Sequence, residues 1–295
     1  MNNRAHDRQQ PIAVFDSGVG GLPYLRWMKQ HLPDERFVYL ADRANFPYGE
    51  KTEDELRGIV IDTVGRLIEK QDPKIAVIAC NTASVVALAD LRATYSIPFV
   101  GVVPAVKPAA EISDSKSIGI LATRRTVEDP YTDDLVRSYA RDCSVSRYAG
   151  VEIVDLVENS FFSTSREEKR EILRPAVEFF RERNVDTVVV ACTHFIFVQD
   201  ELRKMLGPEA HVIDSREGVG RQVVHILKER QLQSPAYDFF GNAKASGEKT
   251  GREKTRGEKT GREKNGSCFF VTRKQDELQY RRFAADYALQ WGGVL

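Results

Sequence analysis

The chain has 295 residues, enough for one large domain or two medium ones that each bury a core, and two is the better expectation. Hydrophobic residues make up 42% and charged residues 29%, while 43 Lys and Arg cancel 43 Asp and Glu, so no global charge signal points to nucleic acid or a membrane surface. No apolar stretch approaches the roughly 20 residues that span a bilayer, and a cytoplasmic location is the default expectation.

In chain order, short apolar runs end in small or polar clusters and give way to helical patterns, as buried parallel strands and crossover helices do. IAVF (12–15) and FVYLA (37–41) come first, then a helix over 52–70. KIAVIAC (74–80) leads to a helix over 84–95; FVGVV (99–103) and SIGILAT (117–123) precede helices over 127–140 and 166–183. TVVVAC (187–192), HVID (211–214) and a helix over 217–229 complete this run. The expected fold class is α/β with mostly parallel sheets.

The halves also resemble each other. DPKIAVIACN (72–81) aligns without gaps on NVDTVVVACT (184–193), and IAVFDSG (12–18) is similar to IGILATR (118–124). Two pseudo-symmetric α/β units facing one another would place equivalent strand ends on opposite walls of one cleft. Residues 246–267 contain a ten-residue repeat with no aromatic or aliphatic side chain. Such a segment has nothing to bury against its ordering entropy, and a disordered, solvated insertion is expected there rather than a contact with an acidic partner. Beyond it, CFFVTRKQDELQYRRFAADYALQW suggests one more strand and a terminal helix.

Ligands of open α/β sheets bind beyond the carboxyl ends of strands. After the first strand comes Asp16-Ser17-Gly18-Val19-Gly20-Gly21, a turn whose glycines permit close backbone approach but whose spacing is not that of a dinucleotide site. Cys80 ends a strand before Asn81-Thr82-Ala83-Ser84 and a helix, whose N-terminal partial charge favours a thiolate; Cys192, beside Thr193 and His194, has the same expected setting. Four scattered cysteines, none in a C-x-x-C pair, do not suggest a disulfide framework.

A lone cysteine at a strand end is ordinarily a small core residue. Two at equivalent positions suggest opposed acids and bases, since inverting a stereocentre needs one group to take a proton from one face and another to deliver one to the other. Two alternatives stay open at this level. Cys80, Cys192, His194 and Asp16 are candidate zinc ligands, although paired ligand spacing is absent, and Cys192 with His194 is a candidate hydrolase nucleophile and base.

Taken together, D-S-G-V-G-G-L (16–22), A-D-x4-P-Y-G (41–49), A-C-N-T-A-S (79–84), G-V-V-P-A (101–105), L-A-T-x2-T-V (121–127) and A-C-T-H-F (191–195) closely resemble glutamate racemase. The resemblance runs from about Ile12 to Ser215, and more loosely through the terminal strand and helix. It implies two α/β domains with the active site between them, residues 1–103 plus 214–295 forming the first and 104–213 the second. It also implies interconversion of L- and D-glutamate for peptidoglycan synthesis without pyridoxal phosphate, metal or nucleotide. Cys80 would act on D-glutamate and Cys192 on L-glutamate. Asp16 would bind the substrate amino group and assist Cys80; His194 would assist Cys192, with Glu158 as a further glutamate nearby. Ser17, Pro47, Tyr48 and Gly49 match positions that hold the side-chain carboxylate, and Asn81, Thr82, Thr123, Thr126 and Thr193 match other substrate contacts. From its own pattern Glu158 reads as a solvated helix residue.

Two places depart from the family: Pro23-Tyr24 stands where Ser-Val is usual, and Ile196 where proline is usual. An aspartate racemase and an inactive ligand-binding relative are the alternative functions. A homodimer is compatible with the resemblance; no residue pattern assigns it.

Overall fold

The computed structural model describes residues 8–234 and 266–295. The repeat expected to be disordered therefore lies outside the described residues, save its last two, Gly266 and Ser267.

Among the described residues the strands form two sheets. The first contains β1 (Ile12–Asp16), β2 (Phe37–Ala41), β3 (Ile75–Ile78), β4 (Phe99–Gly101), β9 (Cys268–Val271) and β10 (Gln290–Val294), in the order β10-β9-β2-β1-β3-β4. The second contains β5 (Ser117–Ala122), β6 (Ser144–Ala149), β7 (Thr187–Val190) and β8 (His211–Ile213), in the order β6-β5-β7-β8. Every pair of these strands is parallel. The central strands are buried at every residue, which is why their sequences are continuous apolar runs rather than alternating ones.

Helices cover both faces of each sheet. One apolar cluster fills the far side of the first sheet under α2 (Glu53–Gln71) and α3 (Asn81–Thr94). Another fills the far side of the second under α4 (Val106–Ile112) and α6 (Pro130–Tyr139). The largest is continuous between the sheets: Leu22 and Leu25 of α1 (Leu22–His31), Val223 and Leu227 of α10 (Arg216–Glu229), and Tyr280 and Phe283 of α11 (Glu277–Asp286) meet Phe195 and Phe180 of the second sheet's helices and turns. Phe180 belongs to α8 (Arg166–Glu182), which opens with a reciprocal capping box between Ser165 and Glu168.

Several elements differ from the sequence expectation. The helix expected over 127–140 is two, α5 (Arg124–Glu128) and α6. Pro130 has no N–H to continue a helix, but Asp129 caps a new one, with its carboxylate accepting the Tyr131 N–H. The strands β6 and β10 were not expected. β6 (SVSRYA) is a half-exposed edge without an apolar run, and β10 (QWGGV), read as the end of a helix, pairs with β9 across a register irregularity between Trp291 and Gly293. The helix expected from 84 begins at Asn81, directly after Cys80.

Candidate active site

The strand ends of the two sheets converge on one cleft of about 390 Å³. Its lining includes Ser17, Pro47, Tyr48, Gly49, Cys80, Asn81, Thr82, Thr123, Thr126, Cys192, Thr193 and His194, so these expected site residues, far apart in sequence, come together. Asp16 and Glu158 stand just behind the wall, 0% and 1% exposed.

The cysteines occupy matched backbone positions. Ala79 N–H continues the ladder to Phe15 O at 2.7 Å and Ala191 N–H to Leu121 O at 2.8 Å, and each following cysteine is extended, with φ −118° at Cys80 and −139° at Cys192. The elements they lead into differ, which corrects the expectation of identical settings. Cys80 caps the α-helix α3, whereas Cys192 leads into a 3-10 turn, Thr193–Val198, before α9 (Gln199–Leu206). An aligned helix dipole is available only to Cys80. Even there it does not prevail: burial pushes the Cys80 thiol up to about 12, Asp16 adds to the rise, and the Ala83 N–H and Ser17 hydroxyl offset it only in part. The Cys80 sulfur lies 3.8 Å from Ser17 Oγ.

Beside Cys192 the positive charge is a side chain. His194 Nδ1 is 3.9 Å from the Cys192 sulfur, and its Nε2 is 2.7 Å from Glu158 Oε2. Burial opposes charge on His194, but its hydrogen bonds to Cys192 and Glu158, together with the Glu158 charge, hold its pKa well above the ordinary histidine value. Burial likewise opposes charge on Glu158, and His194, the Tyr280 hydroxyl and the Val19 N–H outweigh it, keeping the carboxyl below its usual range. Glu158 is therefore a buried ion-pair partner, not the solvated residue its local pattern suggests. It sits in an irregular π-type turn, Leu156–Ser160, following α7 (Val151–Asp155).

Asp16 joins the two sheets. Its Oδ1 accepts the Gly18 N–H at 2.8 Å and its Oδ2 accepts the Thr193 hydroxyl at 3.2 Å. Burial pushes its carboxyl up to about 6, against the pull of the His194 charge and the Gly18 N–H. The glycine turn packs against the same groups: a Cβ on Gly18 would stand 2.2 Å from Glu158 Oε2, and one on Gly20 2.3 Å from Thr193 Oγ1. Tyr39 ties this turn down, donating to Gly18 O at 2.8 Å and accepting from Gly21 N–H at 3.1 Å.

Across the cleft the Tyr48 hydroxyl donates to Asp42 at 2.6 Å, and Thr272 Oγ1 donates to the other Asp42 oxygen at 2.7 Å, which fixes the Pro47–Gly49 loop. Arg125 Nη1 reaches from α5 to Lys51 O at 2.7 Å and ties the cleft mouth across the two sheets. Asn81 Oδ1 is buried and has no hydrogen-bond partner among the described residues, an open acceptor in the cleft wall. Cys80, Cys192, His194 and Asp16 do not form a metal-ion donor set among the described residues.

Sequence reasoning missed Phe46, Glu50, Arg124, Arg125, Val151, Val154 and Asp155, which also line the cleft. Phe46 and Arg124-Arg125 fall at unspecified positions inside quoted motifs and Glu50 directly follows one, so adjacency was their only signal; Val151, Val154 and Asp155 had none. The departures are accommodated. Pro23 lies in the first turn of α1, where a missing N–H costs little, Tyr24 buries its ring and shares a 2.9 Å hydrogen bond with Ser215, and Ile196 is buried in the 3-10 turn.

The fold and the paired-thiol cleft define an α/β isomerase of the racemase class. A profile described as Asp/Glu/Hydantoin racemase matches residues 24–217, and the chain belongs to that family. It is 43% identical over 229 residues to a glutamate racemase of Brucella anthropi, an alignment spanning 76% of this chain and 82% of that protein. It is 42% identical over 233 residues to one from a Shewanella species, spanning 77% and 84%. Among solved structures, Escherichia coli glutamate racemase in complex with L-glutamate and the activator UDP-MurNAc-ala matches with a TM-score of 0.79 and 31% identity, over 97% of this chain and 98% of that one.

Proposed function

We propose that the protein is a glutamate racemase that interconverts L- and D-glutamate by a two-base mechanism carried by Cys80 and Cys192. The observation that carries this reading is the pair of thiols at matched strand ends, one from each sheet, lining a single cleft. The choice of glutamate is supported by the glutamate racemases similar to it over three quarters of its length.

In one direction the Cys192 thiolate takes the α-proton of L-glutamate and becomes a thiol, while the Cys80 thiol gives its proton to the opposite face of the carbanion and becomes a thiolate. The next D-glutamate finds the two in exchanged roles. The His194 imidazolium supplies positive charge next to the sulfur whenever Cys192 is a thiolate. The open Asn81 Oδ1 accepts from the substrate ammonium, and the Asp16 charge favours that ammonium from within the wall. Hydroxyls and N–H groups of Ser17, Thr82, Thr123, Thr126 and Thr193, with the backbone of Pro47–Gly49, receive the two carboxylates.

Residues 1–103 plus 214–295 form the first catalytic unit and 104–213 the second, a division supported by each sheet drawing its strands from one of these ranges. The described free cysteines suit a reducing cytoplasm, where D-glutamate would feed peptidoglycan synthesis. Incubation with L-glutamate in D2O without added cofactor should give α-deuterium uptake and decay of optical rotation; absence of exchange sinks the proposal. Exchange of L-aspartate but not L-glutamate would move the assignment to aspartate. Cys80→Ala and Cys192→Ala should each abolish racemisation, and normal turnover by either would eliminate the two-base scheme.

A further inference from the structure

The helix α11 lies far along the chain from every expected site residue, yet it reaches the buried ion pair. Tyr280, 1% exposed, donates its hydroxyl to Glu158 Oε1, and Gln279 Nε2 donates to the Glu158 carbonyl. The start of the helix is tied to the same segment by Arg43, whose Nη2 is 3.0 Å from Asn159 Oδ1 and 3.1 Å from Asp276 Oδ2. Glu158 is thus held at both oxygens: Oε1 by Tyr280, and Oε2 by the Val19 N–H at 3.1 Å and His194 Nε2 at 2.7 Å.

We propose that Tyr280 is a positioning residue for the Cys192 half of the reaction: by anchoring Glu158 Oε1 it aims Oε2 at His194 Nε2 and holds the ring with Nδ1 facing Cys192. This rests on the racemase reading of the cleft. A buried carboxylate stays ionised only while donors replace the water it has lost, and a buried ion pair depends on such additional hydrogen bonds. With the tyrosine hydroxyl gone, Glu158 loses a donor and its fixed orientation, and the imidazolium loses its counter-charge. The charged and titratable groups facing His194 are Glu158, Cys192 and Asp16; those facing Tyr280 are Glu158, Arg43, Asp276 and Tyr39. On the Cys80 side the neighbours are Ser17, Asp16, Cys192 and the Ala83 N–H, and the α11 contacts run instead to Glu158, so Tyr280 acts directly on the Cys192 side and reaches Cys80 only through Asp16 and Cys192.

The test is Tyr280→Phe, which keeps the ring and removes the hydroxyl, with Tyr287→Phe at the end of the same helix as control. Two readouts are compared with the unaltered protein: the NMR titration of the His194 ring and the pH profile of kcat. Tyr280→Phe should lower the His194 midpoint by about one unit and move the alkaline limb of kcat with it, with KM changing less than about twofold. Tyr287→Phe should leave both in place. In a Glu158→Gln background the Tyr280 change should add nothing. An unshifted His194 titration in Tyr280→Phe overturns the proposal. Should the unaltered protein fail to racemise glutamate, the function assigned above falls while the ring titration still judges Tyr280. If Tyr280→Phe does not fold, the unaltered protein decides: a slowly exchanging, low-field Tyr280 hydroxyl proton supports the contact, and a rapidly exchanging one overturns it.

Discussion

Asp16 is the residue whose charge most depends on its surroundings. With its carboxyl pushed up to about 6, it is neutral in mildly acidic solution and ionised above. If its charge helps hold the substrate ammonium, kcat/KM should rise with pH through about 6, and Asp16→Asn should abolish that limb while lowering activity about 100-fold or more. The stability consequence has the opposite sign. Between the ordinary aspartate value of 3.8 and about 6 the folded state binds more protons at this site than the unfolded state, so this group lowers stability as pH rises across that window. Urea unfolding of the Asp16→Asn variant at several pH values should lack this decline; an unchanged decline would assign it elsewhere. At this scale the motifs carried most of the site. Strand-end cysteines, the glycine turn and the C-T-H context are local patterns, and they were legible. Glu158 and Tyr280 were not legible from their own surroundings, because their roles come from contacts made 36 and 122 residues away.

At the scale of elements, the first strand and its turn show how one residue type carries two opposite consequences. Gly18 approaches Glu158 so closely that an added Cβ would stand 2.2 Å from Oε2, whereas a Cβ on Gly58, inside α2, meets nothing within 4 Å. Gly18→Ala should therefore displace Glu158 from His194, costing about 2 kcal/mol of stability through overpacking and most of the activity. Gly58→Ala should raise stability by about 0.5–1 kcal/mol by removing backbone freedom from the unfolded chain, with activity unchanged. Thermal melts of the pair with a racemisation assay check both, and a Gly18→Ala variant as active as the parent would show that the turn has slack. Buried strands such as β1 and β7 could be read from sequence because burial on both faces makes them apolar throughout. β6 and β10 escaped because edge strands need bury only part of their length, and the break between α5 and α6 required weighing Pro130 against an otherwise helical pattern.

At the scale of the whole molecule, the similarity of the halves anticipated two facing sheets, but not how they are joined. One apolar cluster runs between them, so the two sheets share a core. The first sheet carries a second anchor at the opposite end of β3 from Cys80. There Lys74, with its side chain 0% exposed, pairs with Glu35 at 2.5 Å and donates to Arg8 O at 2.8 Å, while Ser234 hydrogen-bonds the same carboxylate at 2.8 Å. This network fastens both the segment entering β1 and Ser234, five residues beyond α10, to the base of the sheet. Lys74→Met removes the ammonium from beside a buried carboxylate, a change that typically costs about 3–5 kcal/mol. In a chain of this size that corresponds to a fall in Tm of roughly 10 °C. Because the network lies at the strand starts and the thiols at the strand ends, kcat and KM measured well below the new melting point should match the parent. A large loss of kcat in a fully folded Lys74→Met sample would mean that the base of the sheet is coupled to the cleft; a Tm within about 2 °C of the parent would mean that water or rearrangement replaces the pair without penalty.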